Sequence, residues 1–206
     1  TEYYAKYDEV LKRTNHQKPL NYLIGYRDTA RATDERTCIA SVVPRVGCDS
    51  HCRNIYFEDV NGLFITSFLC NINSLIFDYF VRQKVIGTSL GSGTFEQLPV
   101  LPAYLYTNEN FKLIIPNAIE LVYSSWDIKA FADDVWKEAD SELKQVIIKQ
   151  WQDNKTVTEG HEWAPPKWCN IDEAGCPLPP FKWDEYRRAV LKAELDDIYA
   201  KLYGLT

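Results

Sequence analysis

The sequence lacks any long hydrophobic run. No stretch of about 18 uninterrupted apolar residues occurs, which argues against a transmembrane helix. The first four residues, Thr1 to Tyr4, also lack the basic and then apolar layout of a secretory signal peptide. We therefore expect a cytoplasmic protein with no membrane partner.

Cysteine is scarce, and methionine is absent. The six cysteines are few for 206 residues, and two of them, Cys38 and Cys70, lie in apolar runs where a reduced thiol acts as a small hydrophobic group. We therefore do not expect a disulfide-stabilised scaffold. Because the chain starts abruptly in polar sequence at Thr1, we expect it to be a piece of a longer protein whose other functions lie upstream.

The motifs of a self-contained enzyme are also missing. Leu178 precedes Pro179-Pro180-Phe181 at the place where an amino-methyltransferase needs Asn or Asp to accept the amino proton of its base. The glycine-rich Gly91-Ser92-Gly93 follows a predicted helix, whereas cofactor loops follow a strand. The sequence therefore predicts no catalytic residue and no cofactor in this chain.

Two weaker patterns keep alternatives open. Glu142 and Lys144 have the Glu-x-Lys form of metal-dependent nucleases, with Asp127 or Asp134 as a further metal ligand. Solvated charges on a helix surface are the simpler interpretation. A zinc site would use three closely spaced residues together with Cys169 or Cys176, but the spaced pairs typical of such sites are missing, so we expect no metal; the three are Cys48, His51 and Cys52.

Charge is unevenly distributed along the chain. The net charge is -6, which argues against binding nucleic acid through bulk positive charge. All of this excess falls after residue 100, where 12 basic residues face 18 acidic ones. Between Leu11 and Arg53, in contrast, eight basic residues face four acidic ones. A local basic surface is therefore expected in the first half.

Apolar periodicity predicts a mixed α/β fold with a small mixed sheet and packed helices. Two short β-branched and aromatic runs, Tyr22 to Tyr26 and Cys38 to Val43, indicate strands. Helical spacing predicts several helices. They are Tyr3 to about Asn15, Leu63 to Val85 capped by Asn61, Ile119 to Trp126, Asp140 to Trp151, and a C-terminal helix between Asp184 and Gly204.

We expect a single domain over residues 1–206. Its core would comprise about 20–130 and 179–206, with 135–178 as a helical or irregular insertion. Asp133 and Asp134 are interpreted as solvent charges, and residues 153–182, with five prolines, as an irregular connection.

Several segments resemble one known family. Gly25 to Thr37, with the sequence GYRDTARATDERT, resembles a motif of type IIG restriction-modification enzymes and related adenine-specific DNA methylases. Cys70 to Lys84, Glu96 to Val100, Pro179 to Arg188 and Leu202 to Leu205 are similar to later segments of that family, in the same order. The resemblance implies a C-terminal target recognition domain that binds double-stranded DNA. The methyltransferase domain or subunit, with its S-adenosylmethionine, would precede this piece.

A domain that recognises duplex DNA needs cations for phosphates and forked side chains for base edges. We expect these from the arginine-rich segment and from the place where the long helix meets a flexible loop. The candidate DNA-binding residues are Arg27, Arg31, Arg36, Arg45, Arg82, Gln83, Lys84, Thr88 and Ser89. Two alternatives stay open: the charges of the segment pair internally as a scaffold, or the chain is an interaction module that docks a methylase subunit.

Overall fold

The strands form one antiparallel sheet. The computed structural model describes residues 7–14, 20–160 and 163–205. Within them, β1 (Tyr22–Arg27) is the central strand between β2 (Ala40–Pro44) and β3 (Cys52–Ile55). The two predicted strands and the mixed fold class are confirmed, and β3 is a third strand that the sequence pattern did not indicate. The described sheet is antiparallel throughout, without the parallel pairing that a mixed sheet would contain.

The central strand is buried on both faces, which explains its nearly continuous apolar sequence. Tyr22 and Ile24 are completely buried. Gly25 permits a close approach of β3, because a Cβ atom there would lie 2.7 Å from the Sγ atom of Cys52. A larger residue at position 25 would require the Cys52 thiol to move, since the nearest backbone atom of β3, the Arg53 carbonyl oxygen, would lie 3.8 Å away.

The long helix predicted from Leu63 to Val85 is two helices. These are α2 (Gly62–Ile72) and α3 (Leu75–Lys84), bent by 60° at their junction. Asn61 caps α2 as expected, and Ser74 caps α3 by accepting a hydrogen bond from the backbone N–H of Phe77 at 3.2 Å. A second N-cap inside an apolar helical pattern ends one helix and starts another.

The remaining helices pack against these two and against each other. α5 (Asn108–Val122) contacts α2, α7 (Ser141–Val157) and α8 (Glu185–Leu202), while α6 (Lys129–Glu138) contacts α2. Leu143 and Ile147 of α7 share one buried cluster with the strands. Of the helix predicted over Ile119 to Trp126, only the part up to Val122 is helical, as the end of the much longer α5, and Trp126 begins a separate 3-10 turn. The helix predicted from Asp140 is α7 with Asp140 as its cap.

Asp133 and Asp134 are not solvent charges. Asp133 is buried and pairs with Lys129 at 2.5 Å, one helical turn earlier in α6. Burial also raises the pKa of Asp134. Asp133 and Asp134 therefore belong to α6, a helix that the sequence pattern did not predict.

The ends of the chain agree with expectation where they are described. α1 is Tyr7–Arg13, and its predicted limits at Tyr3 and Asn15 lie outside the described residues. Residues 163–184 contain no helix or strand. Asp184 caps α8, and Gly204 follows it with a φ of 77°. No single described helix is long and apolar enough to cross a membrane; α2 and α3 reach that length only together, across their bend.

Candidate nucleic-acid interface

Three loops meet beside the Arg27 end of the sheet. The backbone N–H of Asp28 donates to the carbonyl of His51 at 2.9 Å, and that of Ala30 donates to the carbonyl of Thr88 at 3.0 Å. Thr29 and Ser89 form an isolated antiparallel bridge. We call the surface formed by residues 27–36, 48–53 and 86–94 the loop junction. It brings the arginine-rich segment next to the predicted Thr88 and Ser89.

An aromatic stack anchors the third loop to the sheet. Phe95 lies at the end of the short helix α4 (Ser92–Phe95), and its ring stacks on Tyr26 of β1 with centroids 4.4 Å apart. Thr88 and Ser89, earlier in the same loop, are exposed. Their hydroxyl groups are therefore presented to solvent from a fixed position, which suits contacts to phosphate oxygens.

Arg27 and Arg31 lie on the exposed part of the loop junction. The guanidinium of Arg27 donates to the carbonyl of Arg36 at 3.2 Å and lies 3.6 Å from Asp34, yet its side chain is 44% exposed. Arg31 is exposed, and only its backbone groups hold the turn, by bonding Asp34 and Thr37. Both cations therefore face solvent.

Arg36 and Arg82 have a different environment, around the carboxylate of Asp78. Asp78 is 2% exposed and accepts hydrogen bonds from the backbone N–H groups of Thr37 and Cys38 at 2.7 and 2.8 Å. Arg82 donates to it at 2.7 Å, and the Nε atom of Arg36 lies 3.8 Å away. This buried carboxylate therefore fixes the far end of the arginine-rich segment.

The other donors of these two arginines bond backbone carbonyls. Arg82 donates to the carbonyls of Ala32 and Glu35, at 3.0 and 2.5 Å, and Arg36 donates to that of Asn73. The amide of Asn73 in turn bonds both backbone groups of Ala40 at 3.0 Å. Two segments singled out from the sequence, 25–37 and 70–84, are thus the two halves of one structural network.

Arg45 lies away from the loop junction. It is 8% exposed, and its guanidinium donates to the hydroxyl and the carbonyl of Thr14 at 2.9 and 3.1 Å. Arg45 follows β2 at the end that pairs with Tyr22, opposite Arg27. Because it is buried and bound to the end of α1, the structure does not support its expected role as a DNA contact.

Gln83 and Lys84 lie at the rim of the loop junction. Both are exposed at the end of α3, directly after Arg82, whose bonds tie this end of the helix to the 32–35 turn. Ile86, the next exposed residue, is 94% accessible. The rim thus adds one further cation and one amide to the same surface.

The structure adds three residues that the sequence did not bring together. Asp28, 6% exposed, accepts a hydrogen bond from Nδ1 of His51 at 2.9 Å and from Nε and Nη2 of Arg53 at 3.2 and 3.1 Å. The side chains of His51 and Arg53 are 68% and 45% exposed. Asp28 therefore holds a guanidinium and an imidazole at the centre of the loop junction.

Hydrogen bonding shifts the pKa values of this cluster in opposite directions. The bond from His51, together with those from Arg53, lowers the pKa of Asp28 despite its burial. The same bond to Asp28 raises the pKa of His51 above its ordinary value. The carboxylate is thus kept ionised, and the imidazole is kept protonated to a higher pH.

The residues of the two metal alternatives have other partners. Glu142 pairs with Lys112 at 2.9 Å, and Lys144 lies over the ring of Trp136. Cys52 lies next to Cys48, while the Nδ1 atom of His51 is used by Asp28. In the part of the chain that the structure describes, no group of three His, Cys, Asp or Glu side chains is arranged to hold a metal ion.

Comparison of the chain with protein-family models, with curated proteins and with solved structures finds no match. The resemblance to the restriction-modification family therefore stays a prediction. A functional hypothesis must depend on the geometry of the loop junction.

Proposed function

We propose that this chain recognises double-stranded DNA through the loop junction, as the target recognition domain of a bacterial restriction-modification enzyme. The supporting observation is the convergence of three loops that present cationic and hydroxyl side chains on one exposed surface. The exposed cations are Arg27, Arg31, Arg53 and Lys84, and the imidazole of His51, which is cationic when protonated, lies beside Arg53. Such a combination provides both phosphate contacts and forked donors for base edges.

In this proposal the parent enzyme supplies the chemistry. An upstream methyltransferase domain or subunit would bind S-adenosylmethionine and transfer the methyl group to adenine, in the bacterial cytoplasm. The present chain would select the DNA sequence and carry no catalytic residue. Its overall negative charge agrees with a role in binding DNA on one face only, because the local basic surface attracts DNA and the acidic remainder of the chain repels it.

The salt dependence of DNA binding tests the proposal. We would measure the affinity of the chain for duplex DNA between about 50 and about 200 mM salt and compare wild type with Arg31→Ala. Removing one phosphate contact should lower the slope of log affinity against log salt by about 1. Arg13→Ala is the matched control, since Arg13 is an exposed arginine on α1, whose end lies at the opposite end of the sheet.

The outcomes separate the alternatives. If the folded chain does not bind duplex DNA even at the lowest salt, the proposal is wrong and the interaction-module hypothesis gains, because then only the methylase subunit remains as a partner. If Arg13→Ala and Arg31→Ala lower the slope equally, binding is diffuse and does not use the loop junction. Magnesium-dependent cleavage that is lost in Glu142→Ala would instead support the nuclease alternative.

A further inference from the structure

Hydrogen bonds to the buried carboxylate of Asp28 fix the orientation of Arg53. Arg53 lies in β3 opposite Tyr26, at the end of the sheet that carries the loop junction. Its Nε and Nη2 atoms both donate to Oδ2 of Asp28, and the backbone N–H and carbonyl of Asp28 bond His51 and Leu90. The carboxylate therefore cannot move independently of the neighbouring loops, and it holds the plane of the guanidinium.

The donors that Asp28 leaves unused point to a specific ligand. A guanidinium has five N–H donors, and two of them are used by Asp28. Of the remaining three, one on Nη1 and one on Nη2 point in parallel from the end of the guanidinium, and the second on Nη1 points back along the Cδ side. Among the described residues the structure gives Nη1 no partner, and 45% of the side chain is exposed. Two parallel donors on one edge match the O6 and N7 acceptors of guanine in the major groove.

His51 completes the arrangement on the other oxygen of the carboxylate. Its Nδ1 atom bonds Oδ1 of Asp28, which leaves Nε2 directed away from that bond, and the side chain is 68% exposed. One buried carboxylate thus orients a forked donor and an imidazole side by side. Preorganisation of this kind reduces the conformational entropy that a long arginine side chain loses on binding.

We propose that Arg53 contacts a guanine base in the major groove and that Asp28 is its positioning residue. This inference rests on the proposed function, because it names a base that the DNA-binding surface selects. The major groove is wide enough to admit a two-stranded ribbon such as the ends of β1 and β3. Arg31 and Lys84, whose cations lack a carboxylate support of this kind, supply sequence-independent phosphate contacts instead.

Selection from a randomised duplex library tests the inference. Wild type should enrich a motif that contains a guanine, and Arg53→Lys should lose the preference for that guanine by about 5-fold to 150-fold, because lysine keeps the charge but lacks the fork. Affinity of Arg53→Lys for unrelated duplexes should stay within about twofold, since phosphate attraction is retained. Arg31→Lys is the matched control and should leave the motif unchanged.

Asp28→Asn tests the positioning role. It should weaken the preference for the same guanine while leaving the other positions of the motif intact, an effect that general loosening of the fold would not produce. Circular dichroism and a thermal melt establish whether each variant is folded. If Asp28→Asn does not fold, Arg53→Lys alone tests the inference.

The failures of the two proposals differ. If wild type selects a motif and Arg53→Lys selects the same one, the role of Arg53 is wrong while the proposed function stands. If wild type binds no duplex, or binds without any sequence preference, the proposed function itself fails.

Discussion

Two carboxylates in this molecule have nearly the same chemistry and opposite consequences. Asp78 and Asp28 are both buried, and each pairs with two basic side chains. The arginines on Asp78 use their remaining donors on backbone carbonyls and are less than 30% exposed. The basic groups on Asp28 direct theirs toward solvent. The first cluster is therefore saturated scaffold, and the second has the unused donors that a ligand needs.

The difference follows from what surrounds each carboxylate. Asp78 lies on α3 and faces the end of the arginine-rich segment. Backbone N–H groups at that end bond the carboxylate, and a backbone carbonyl of the segment bonds Arg82. Asp28 lies at the start of that segment, where the neighbouring elements are open loops. The two ends of the arginine-rich segment therefore differ: one end holds the turn in place, and the other carries exposed donors.

The largest expected effect is the loss of Asp78. Asp78→Ala leaves the Arg82 guanidinium and two buried backbone N–H groups without their acceptor and removes the ion-pair partner of Arg36, so we expect the free energy of unfolding to fall by about 3–5 kcal/mol. Urea denaturation measures this loss. Asp197→Ala is the control, because Asp197 forms an exposed pair with Lys201 and should change stability by no more than about 0.5 kcal/mol. Equal effects of the two substitutions would refute the scaffold role of Asp78.

Sequence reasoning found the fold where local signals are strong. The Tyr22 and Cys38 runs predicted two strands, and the Asp184 cap with Gly204 predicted the limits of α8. It missed β3, because Cys-Arg-Asn-Ile is short and has no alternating pattern. It missed α6 because Asp133 resembled a solvent charge, while its partner Lys129 neutralises it one turn earlier.

The site was predicted in part, for a related reason. Composition located the arginine-rich segment, and helix-to-loop patterns located Thr88 and Ser89, which the structure brings together. Which arginines face solvent depends on Asp78, about 40 residues further along the chain from Thr37 and Cys38. Long-range hydrogen bonds of this kind leave no local signal. The pairing of Asp28 with His51 and Arg53 was missed for the same reason.

A smaller effect is expected at Ser74, the N-cap of the helix α3 that carries Asp78. Ser74→Ala removes the acceptor for the Phe77 N–H and the bond to the Asn71 carbonyl, so we expect a loss of about 0.5–2 kcal/mol in the free energy of unfolding. Ser141→Ala is a matched control, since Ser141 also lies at a helix start but Asp140 is the cap there. Preference for the guanine assigned to Arg53 should stay unchanged, because Asp28, His51 and Arg53 do not lie on α3. A loss of that preference without a loss of stability would contradict the division between the two clusters.

The smallest expected effect is a pH dependence specific to the Asp28 cluster. The groups that face His51 are Asp28, Asp49, Arg53 and Thr29, and the bond to Asp28 raises the pKa of His51 above its ordinary 6.5. The stabilisation from this pair is therefore complete below pH 6.5 and is lost as the pH rises through the raised pKa. The positive charge on His51 disappears over the same range, so duplex affinity should fall modestly as the pH is raised from about 6 to about 8.5.

His51→Gln isolates this contribution, because glutamine keeps a donor but does not titrate. Titrations of duplex DNA at several pH values and constant ionic strength should give a weaker pH dependence for His51→Gln than for wild type, with affinities that agree most closely at high pH, where the imidazole is neutral. An unchanged pH profile in His51→Gln would mean that the imidazole does not approach the DNA, and that Arg53 alone occupies the exposed side of Asp28.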